Sequence, residues 1–207
     1  MMKTTELIEL YDEMLHRLVG AAEYRDPDVP THLIRIELYV ECLSTELKMP
    51  KEFIESIKFA APYHDIGKIG IPYTILLKQG GLTKEEFIII KGHSKIGATI
   101  LDGSNNHMTQ MAASIALNHH ERYDGSGYPE GLKGDIIPIE ARIVNICDQY
   151  DALMMGKPYK PAYGHNKTIQ IITKGDGRTI PQHFDPVVLT AFKRVALEFE
   201  KIFDTYQ

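Results

Sequence analysis

Two cysteines, Cys42 and Cys147, are all that the 207 residues contain, and both stand inside apolar segments. That excludes a disulfide framework and makes a reducing compartment, the cytoplasm, the expectation. Long hydrophobic runs are missing as well. No stretch is apolar enough to span a bilayer, and the opening "MMKTTELIELYDE" lacks the apolar core of a secretory signal. Nor is there an excess of positive charge: 23 Lys and Arg face 28 Asp and Glu, a net charge of −5. Charge-driven binding to a nucleic-acid backbone is thereby excluded, while a small, locally positive anion site is not.

Strand-like alternation is nearly absent, and so are several common signatures. "GSGYPEG" has Glu130 where a dinucleotide-binding loop needs glycine, and it follows no strand. "GDGRT" lacks the lysine and spacing of a phosphate-binding loop, and no G-x-S-x-G nucleophile turn occurs. Repeats and low-complexity tracts are missing too.

What is there is helical periodicity, on a chain that is 43% hydrophobic and can build a real core. Leu7, Leu10, Tyr11, Met14, Leu15 and Leu18 predict an N-terminal helix that "RDPDVP" breaks. A second helix places His32, Ile36, Tyr39, Val40 and Leu43 on or near one stripe. Pro50 stands near the start of a third, with Phe53, Ile54 and Ile57 at core spacing, and Pro62 should bend or end it just before His64. Thr83 and Glu86 form a capping-box pattern ahead of Ile89, Ile90, His93 and Ile96. Further helices are expected over 108–120, from Pro138 onward with Ile143, Ile146, Cys147 and Tyr150, and after Asp185 as N-cap with Pro186 in first position. The expectation is an all-α fold of about seven helices. Residues 1–24 read as a connector helix and 25–207 as the domain.

Five of the nine histidines interrupt these apolar faces: His32, His64, His93, His119 and His120. Asp28, Asp65, Asp148 and Asp151 stand among them. Asp28 and His32 are four apart, so a helix would present both on one face. His64 and Asp65 are adjacent and diverge enough to ligate one metal or bridge two. Asp148 and Asp151 are three apart in an apolar helix, where an unpartnered carboxylate would be costly. A lone helical histidine is usually a surface or core residue, and His16, His107, His165 and His183 are read that way. Imidazoles mixed with carboxylates suit Zn, Fe, Mn or Ni, so the set predicts a helical site holding more than one ion.

"HDIGKIGIP", a histidine at 93, "HHERYDGSGYP", "DQYDAL" and "KPYKPA" together resemble the HD-GYP family, a branch of the HD metal-dependent phosphohydrolases. The likeness runs from about Arg25 to the "FDP" helix. It implies an all-α domain that hydrolyses cyclic di-GMP to pGpG or onward to GMP, by a hydroxide bridging two ions. His32, His64, Asp65, His93, His119, His120 and Asp148 match the family's ligands, with Asp65 and Asp148 bridging. Lys68 matches a lysine near the metals and phosphate, and Asp151 a water-positioning or supporting acid. Tyr128 matches the tyrosine of the signature loop, a phosphate or base contact, and Gly125 and Gly127 would let that loop approach the ligand.

Two departures stand out. Asp28 replaces a glutamate associated with a third ion and is one methylene shorter, so the expectation is two ions, with a third depending on its reach. Lys157 and Lys160 stand where the family has arginines, keeping the charge but losing the planar fork. Other readings are a phosphohydrolase of another nucleotide, and a weakly catalytic sensor of the messenger. The connector suggests a receiver or other sensory domain or a second copy of the chain as partner, and the sensor reading a diguanylate cyclase.

Overall fold

The computed structural model describes residues 29–155 and 162–207, with Arg17 and Gly20. The predicted connector helix apart from Arg17 and Gly20, and Asp28, Lys157 and Lys160, lie outside the described residues. Among those described there are eight α-helices and no strand: α1 (Val29–Glu46), α2 (Lys51–Ala60), α3 (Tyr73–Leu76), α4 (Lys84–Leu101), α5 (His107–Asn118), α6 (Ile139–Met155), α7 (His165–Lys174) and α8 (Pro186–Thr205). No described helix is long and apolar enough to cross a membrane.

Local chemistry sets the helix ends. Thr83 caps α4 in a reciprocal box with Glu86: the hydroxyl accepts from Glu86 N at 3.2 Å, and Thr83 N donates to the Glu86 carboxylate at 2.7 Å. Asp185 caps α8 by accepting from Val187 N and Val188 N, with Pro186 at the first position. Pro62 ends α2 as predicted, and the chain tightens into a 3-10 turn at Ala61–Tyr63.

The core forms around α1, which packs against α2, α6 and α8. Its predicted stripe of Ile36, Tyr39, Val40 and Leu43 is fully buried. Tyr39 stacks on Phe199 of α8 at 4.4 Å, and Tyr150 of α6 meets both rings edge-on at 5.5 and 5.3 Å. Each such fully buried side chain contributes roughly 1.5–3 kcal/mol of transfer free energy, so these helices form a stiff frame.

α4 departs from its predicted pattern. Phe87, Ile88, Ile89 and Ile100 are exposed, and the buried face is His93, Ser94 and Gly97. The cause is a backbone crossing between α4 and the 3-10 turn Ile66–Gly70. A Cβ on Gly67 would run into the His93 carbonyl and the Gly97 amide, and one on Gly97 would lie 3.2 Å from Ala116 Cβ. At Gly67 and Gly97 the two segments touch main chain to main chain, which turns the polar edge of α4 inward.

Candidate metal centre and signature loop

Four helices and one turn deliver the histidines and acids to a single place. His64 and Asp65 stand in the turn between two 3-10 segments rather than at a helix end. His32 comes from α1, His93 from α4 and Asp148 from α6, and His119 and His120 follow α5. Their ligating atoms fall into two groups, each within 4.8 Å: Asp65, His93, His119 and His120 in one, and His32, His64 and Asp148 in the other. The adjacent pair joins the groups, His64 Nε2 lying 3.4 Å from Asp65 Oδ2 and 3.7 Å from Asp148 Oδ1.

Hydrogen bonds on the far side of each ring fix the tautomers. Nδ1 of His64 donates to Ala61 O at 2.9 Å, Nδ1 of His93 to Ile90 O at 2.7 Å, and Nδ1 of His119 to Ile115 O at 3.0 Å. A carbonyl can only accept, so Nδ1 carries the proton, and in the neutral ring each Nε2 carries a lone pair. Those lone pairs converge on other acceptors. His93 Nε2 is 3.1 Å and His119 Nε2 3.6 Å from Asp65 Oδ1, and the two Nε2 atoms are 3.4 Å apart. Asp65 Oδ1 is buried and makes no hydrogen bond. Acceptors facing acceptors in a buried cluster repel unless a cation lies among them, so the donor set fits divalent metal ions.

The charge states agree. Burial lowers the His119 pKa, and burial together with His119 and His93 lowers His120 well below the ordinary value, which keeps both rings neutral and able to ligate. Burial alone would raise the Asp65 pKa. Lys68 leads the influences that outweigh it and hold the carboxyl well below its usual range, and the Lys68 ammonium sits directly on Asp65 Oδ2.

Asp148 and Asp151, one turn apart on α6, have different surroundings. Asp148 faces His64. Asp151 is buried and accepts from Arg35 Nε at 2.7 Å, Arg35 Nη2 at 2.8 Å and His32 Nδ1 at 2.7 Å. It therefore supports a ligand, leaving His32 Nε2 directed away from the pair. Arg35 is the residue that sequence reasoning missed here. Its only signal was a cation three residues after His32 inside an apolar stripe.

The signature loop is held from beneath by Glu121, a second residue the sequence did not single out. The Glu121 carboxylate accepts from Glu130 N, Gly131 N and Leu132 N at 2.7, 3.1 and 2.9 Å. Asn145 Nδ2 donates to His119 O at 2.8 Å. Gly127 packs against the backbone of Glu121 and Arg122, so its missing side chain serves a crossing of the loop on itself. Gly125 has φ +86°, which glycine adopts without strain. Tyr128 lies on the His120 ring at 4.6 Å. Its phenol pKa is pushed up by burial and by Asp65 and Asp148, which places its ring in the field of the metal cluster. His107, His165 and His183 stand apart, bonded to Ser56, to Tyr150 and to a loop amide respectively.

Fold and site together define an all-helical domain built around a His- and Asp-lined metal centre. Residues 8–188 match the family model described as HD domain. The chain is 43% identical over 197 residues to the cyclic di-GMP phosphodiesterase response regulator RpfG of Xanthomonas campestris, covering 95% of this chain and 51% of that protein. It is 42% identical over 199 residues to a cyclic di-GMP phosphodiesterase of Thermotoga maritima, covering 96% and 53%. The fold is also that of a cyclic GMP-AMP-specific phosphodiesterase of V. cholerae, with TM-score 0.66 and 17% identity over 95% of this chain and 50% of that one. The chain belongs to the HD-domain superfamily, in its HD-GYP branch. It spans about half the length of these two sequence relatives.

Proposed function

We propose that this domain is a metal-dependent phosphodiesterase that hydrolyses cyclic di-GMP to pGpG or onward to GMP. The observation that carries the reading is the meeting of two ligand groups at the His64–Asp65 pair, with Lys68 and the Tyr128 loop at the same place. The names of the Xanthomonas and Thermotoga relatives support the substrate.

His32, His64 and Asp148 would hold one ion, and Asp65, His93, His119 and His120 the other. Divalent ions supply Lewis acidity and a nucleophile at neutral pH; Fe or Mn is our first choice for this donor set, and Zn and Ni also suit it. In the reaction water adds to phosphorus, the bond to the 3′ oxygen breaks, and that oxygen takes up a proton. Lys68 is the protein's own cation beside the reacting phosphate, and the neutral imidazoles and ionised Asp65 keep the cluster ready for cations. Asp151 acts by positioning His32. Lys157 and Lys160 are assigned to the ligand's other phosphate or a guanine edge, Gly125 and Gly127 to shaping the loop, and Asp28 to a third ion.

The free Cys42 and Cys147 support a cytoplasmic setting. A receiver or other sensory domain or a second copy of this chain is the partner that a connector helix implies, and a diguanylate cyclase domain the partner of a sensor. The test is turnover of cyclic di-GMP with Mn or Fe(II), compared with a His64→Ala, Asp65→Ala variant. Wild-type turnover that the variant loses is expected. Tight binding without wild-type turnover makes the domain a sensor, and turnover of cyclic GMP-AMP alone gives it another substrate.

A further inference from the structure

Phe87, Lys91 and Lys95 stand at i, i+4 and i+8 on α4 and form one stripe. The stripe runs along the signature loop. Lys91 Nζ lies 4.8 Å from the centre of the Phe87 ring and 4.9 Å from that of Tyr128. The two rings meet edge-on at 6.4 Å, and Lys95 Nζ pairs with Glu130 at 2.7 Å. Tyr128 in turn covers His120, so the stripe begins where the metal cluster ends.

Packing accounts for neither Phe87 nor Lys91. Lys68, Lys78 and Lys95 each hold a carboxylate, whereas among the described residues Lys91 pairs with none. Phe87 is 46% exposed. A lysine seated on aromatic rings is held in place by the cation–π attraction while its charge stays available to an anion. An exposed aromatic ring offers a base a stacking face. Lys91 is held by the Phe87 and Tyr128 rings, whereas Lys68 is held by Asp65 of the cluster, so the two cations have different surroundings.

We propose that Phe87 and Lys91 form a nucleotide subsite, Lys91 holding the phosphate that is not cleaved, which leaves Lys157 and Lys160 the guanine edge, and Phe87 stacking on a base. The orientation rests on the phosphodiesterase reading, which puts the other phosphate at Lys68. The ligand class is a two-phosphate, two-base molecule, and the subsite discriminates it from small diesters that reach only the metals.

The experiment is equilibrium binding of radiolabelled cyclic di-GMP and cyclic GMP-AMP in EDTA, which withholds the ions that turnover needs. Wild type is compared with Lys91→Met, Lys91→Arg, Phe87→Ala and Lys95→Met, and metal content and unfolding midpoint report the fold of each. Lys91→Met and Phe87→Ala should weaken binding about tenfold or more, and Lys91→Arg should retain most of it. Lys95→Met unties the same loop from the same helix and should bind as wild type does. Undiminished binding by Phe87→Ala and Lys91→Met overturns the subsite. So does equal loss in Lys95→Met, which would trace the effect to loop placement, and so does a wild type that binds neither dinucleotide. Binding that follows the expected order without turnover sustains the subsite and removes the phosphodiesterase reading instead.

Discussion

Asp151 is shared between Arg35 and His32. One carboxylate oxygen takes Arg35 Nε at 2.7 Å, and the other takes Arg35 Nη2 at 2.8 Å and His32 Nδ1 at 2.7 Å. A buried guanidinium thus sets the carboxylate, and the carboxylate sets the ring of a histidine of the candidate metal site 119 positions away in the chain.

Removing that carboxylate's charge should be severe. Asp151→Asn leaves a buried guanidinium without its counter-charge, which costs about 3–5 kcal/mol. Urea unfolding at neutral pH measures it. A loss near zero would mean that Arg35 finds another acceptor, such as the Tyr206 carbonyl it already meets at 2.6 Å.

The same pair predicts a pH dependence. Burial raises the Asp151 pKa, but Arg35 and His32 more than reverse this and leave it lowered in the folded state. A depressed carboxyl contributes stability that is present above the unfolded value of about 3.9 and is lost as pH falls through the folded value. The stability gap between wild type and Asp151→Asn should therefore be constant above about pH 5 and shrink below about pH 4. Denaturant curves across that range decide it, and a gap that widens in acid contradicts the assignment.

Two glycines of one region should respond oppositely to alanine. Gly67→Ala drives a methyl into the main chain of α4 and should cost about 1–3 kcal/mol by overpacking, with loss of metal. A Cβ on Gly92, inside α4, meets nothing within 4 Å, so Gly92→Ala should stabilise by about 0.5–1 kcal/mol through helix propensity. Thermal unfolding of the pair, read with metal content, checks both signs.

Glu121→Ala should free the signature loop. Three backbone N–H groups lose a charged acceptor at once, each such bond being worth about 1.5–3 kcal/mol at most. Faster limited proteolysis within 129–133 is the expected readout, with helix content retained. An unchanged cleavage pattern would show that the loop is held by Tyr128 packing instead.

Metal should stabilise the fold by relieving the acceptor cluster. At a hundredfold excess over Kd one ion contributes about 2.7 kcal/mol, so Mn should raise the unfolding midpoint and EDTA lower it. Metal analysis of anaerobically purified protein should give two ions per chain. One ion or fewer would sink the two-ion assignment.

Much of the site was legible because its residues break helical apolar stripes. His32, His93 and Asp148 announced themselves as polar groups on faces that had to be inward, and the sequence reading grouped them with His64, Asp65, His119 and His120. The core of α1, α6 and α8 was legible for the same reason, since Ile36, Tyr39, Ile146 and Phe192 keep strict period. α4 misled the reading of its apolar residues. Ile89 looked like core, but the helix is turned by a contact between two glycine backbones 30 residues apart, and periodicity carries no sign of such a contact. Arg35 and Glu121 were illegible for a related reason. Each is an ordinary surface-type residue whose partners, Asp151 and the amides of 130–132, come together only in three dimensions.

The Gly67–Gly97 crossing makes α4 and the His64–Asp65 turn a single mechanical part. At the crossing itself no side chain can repack, so the seat of α4 on the turn sets His93 against Asp65, while His64 of the same turn faces Asp148 of α6. One pair of positions without side chains thus ties ligands of both groups to a single backbone contact.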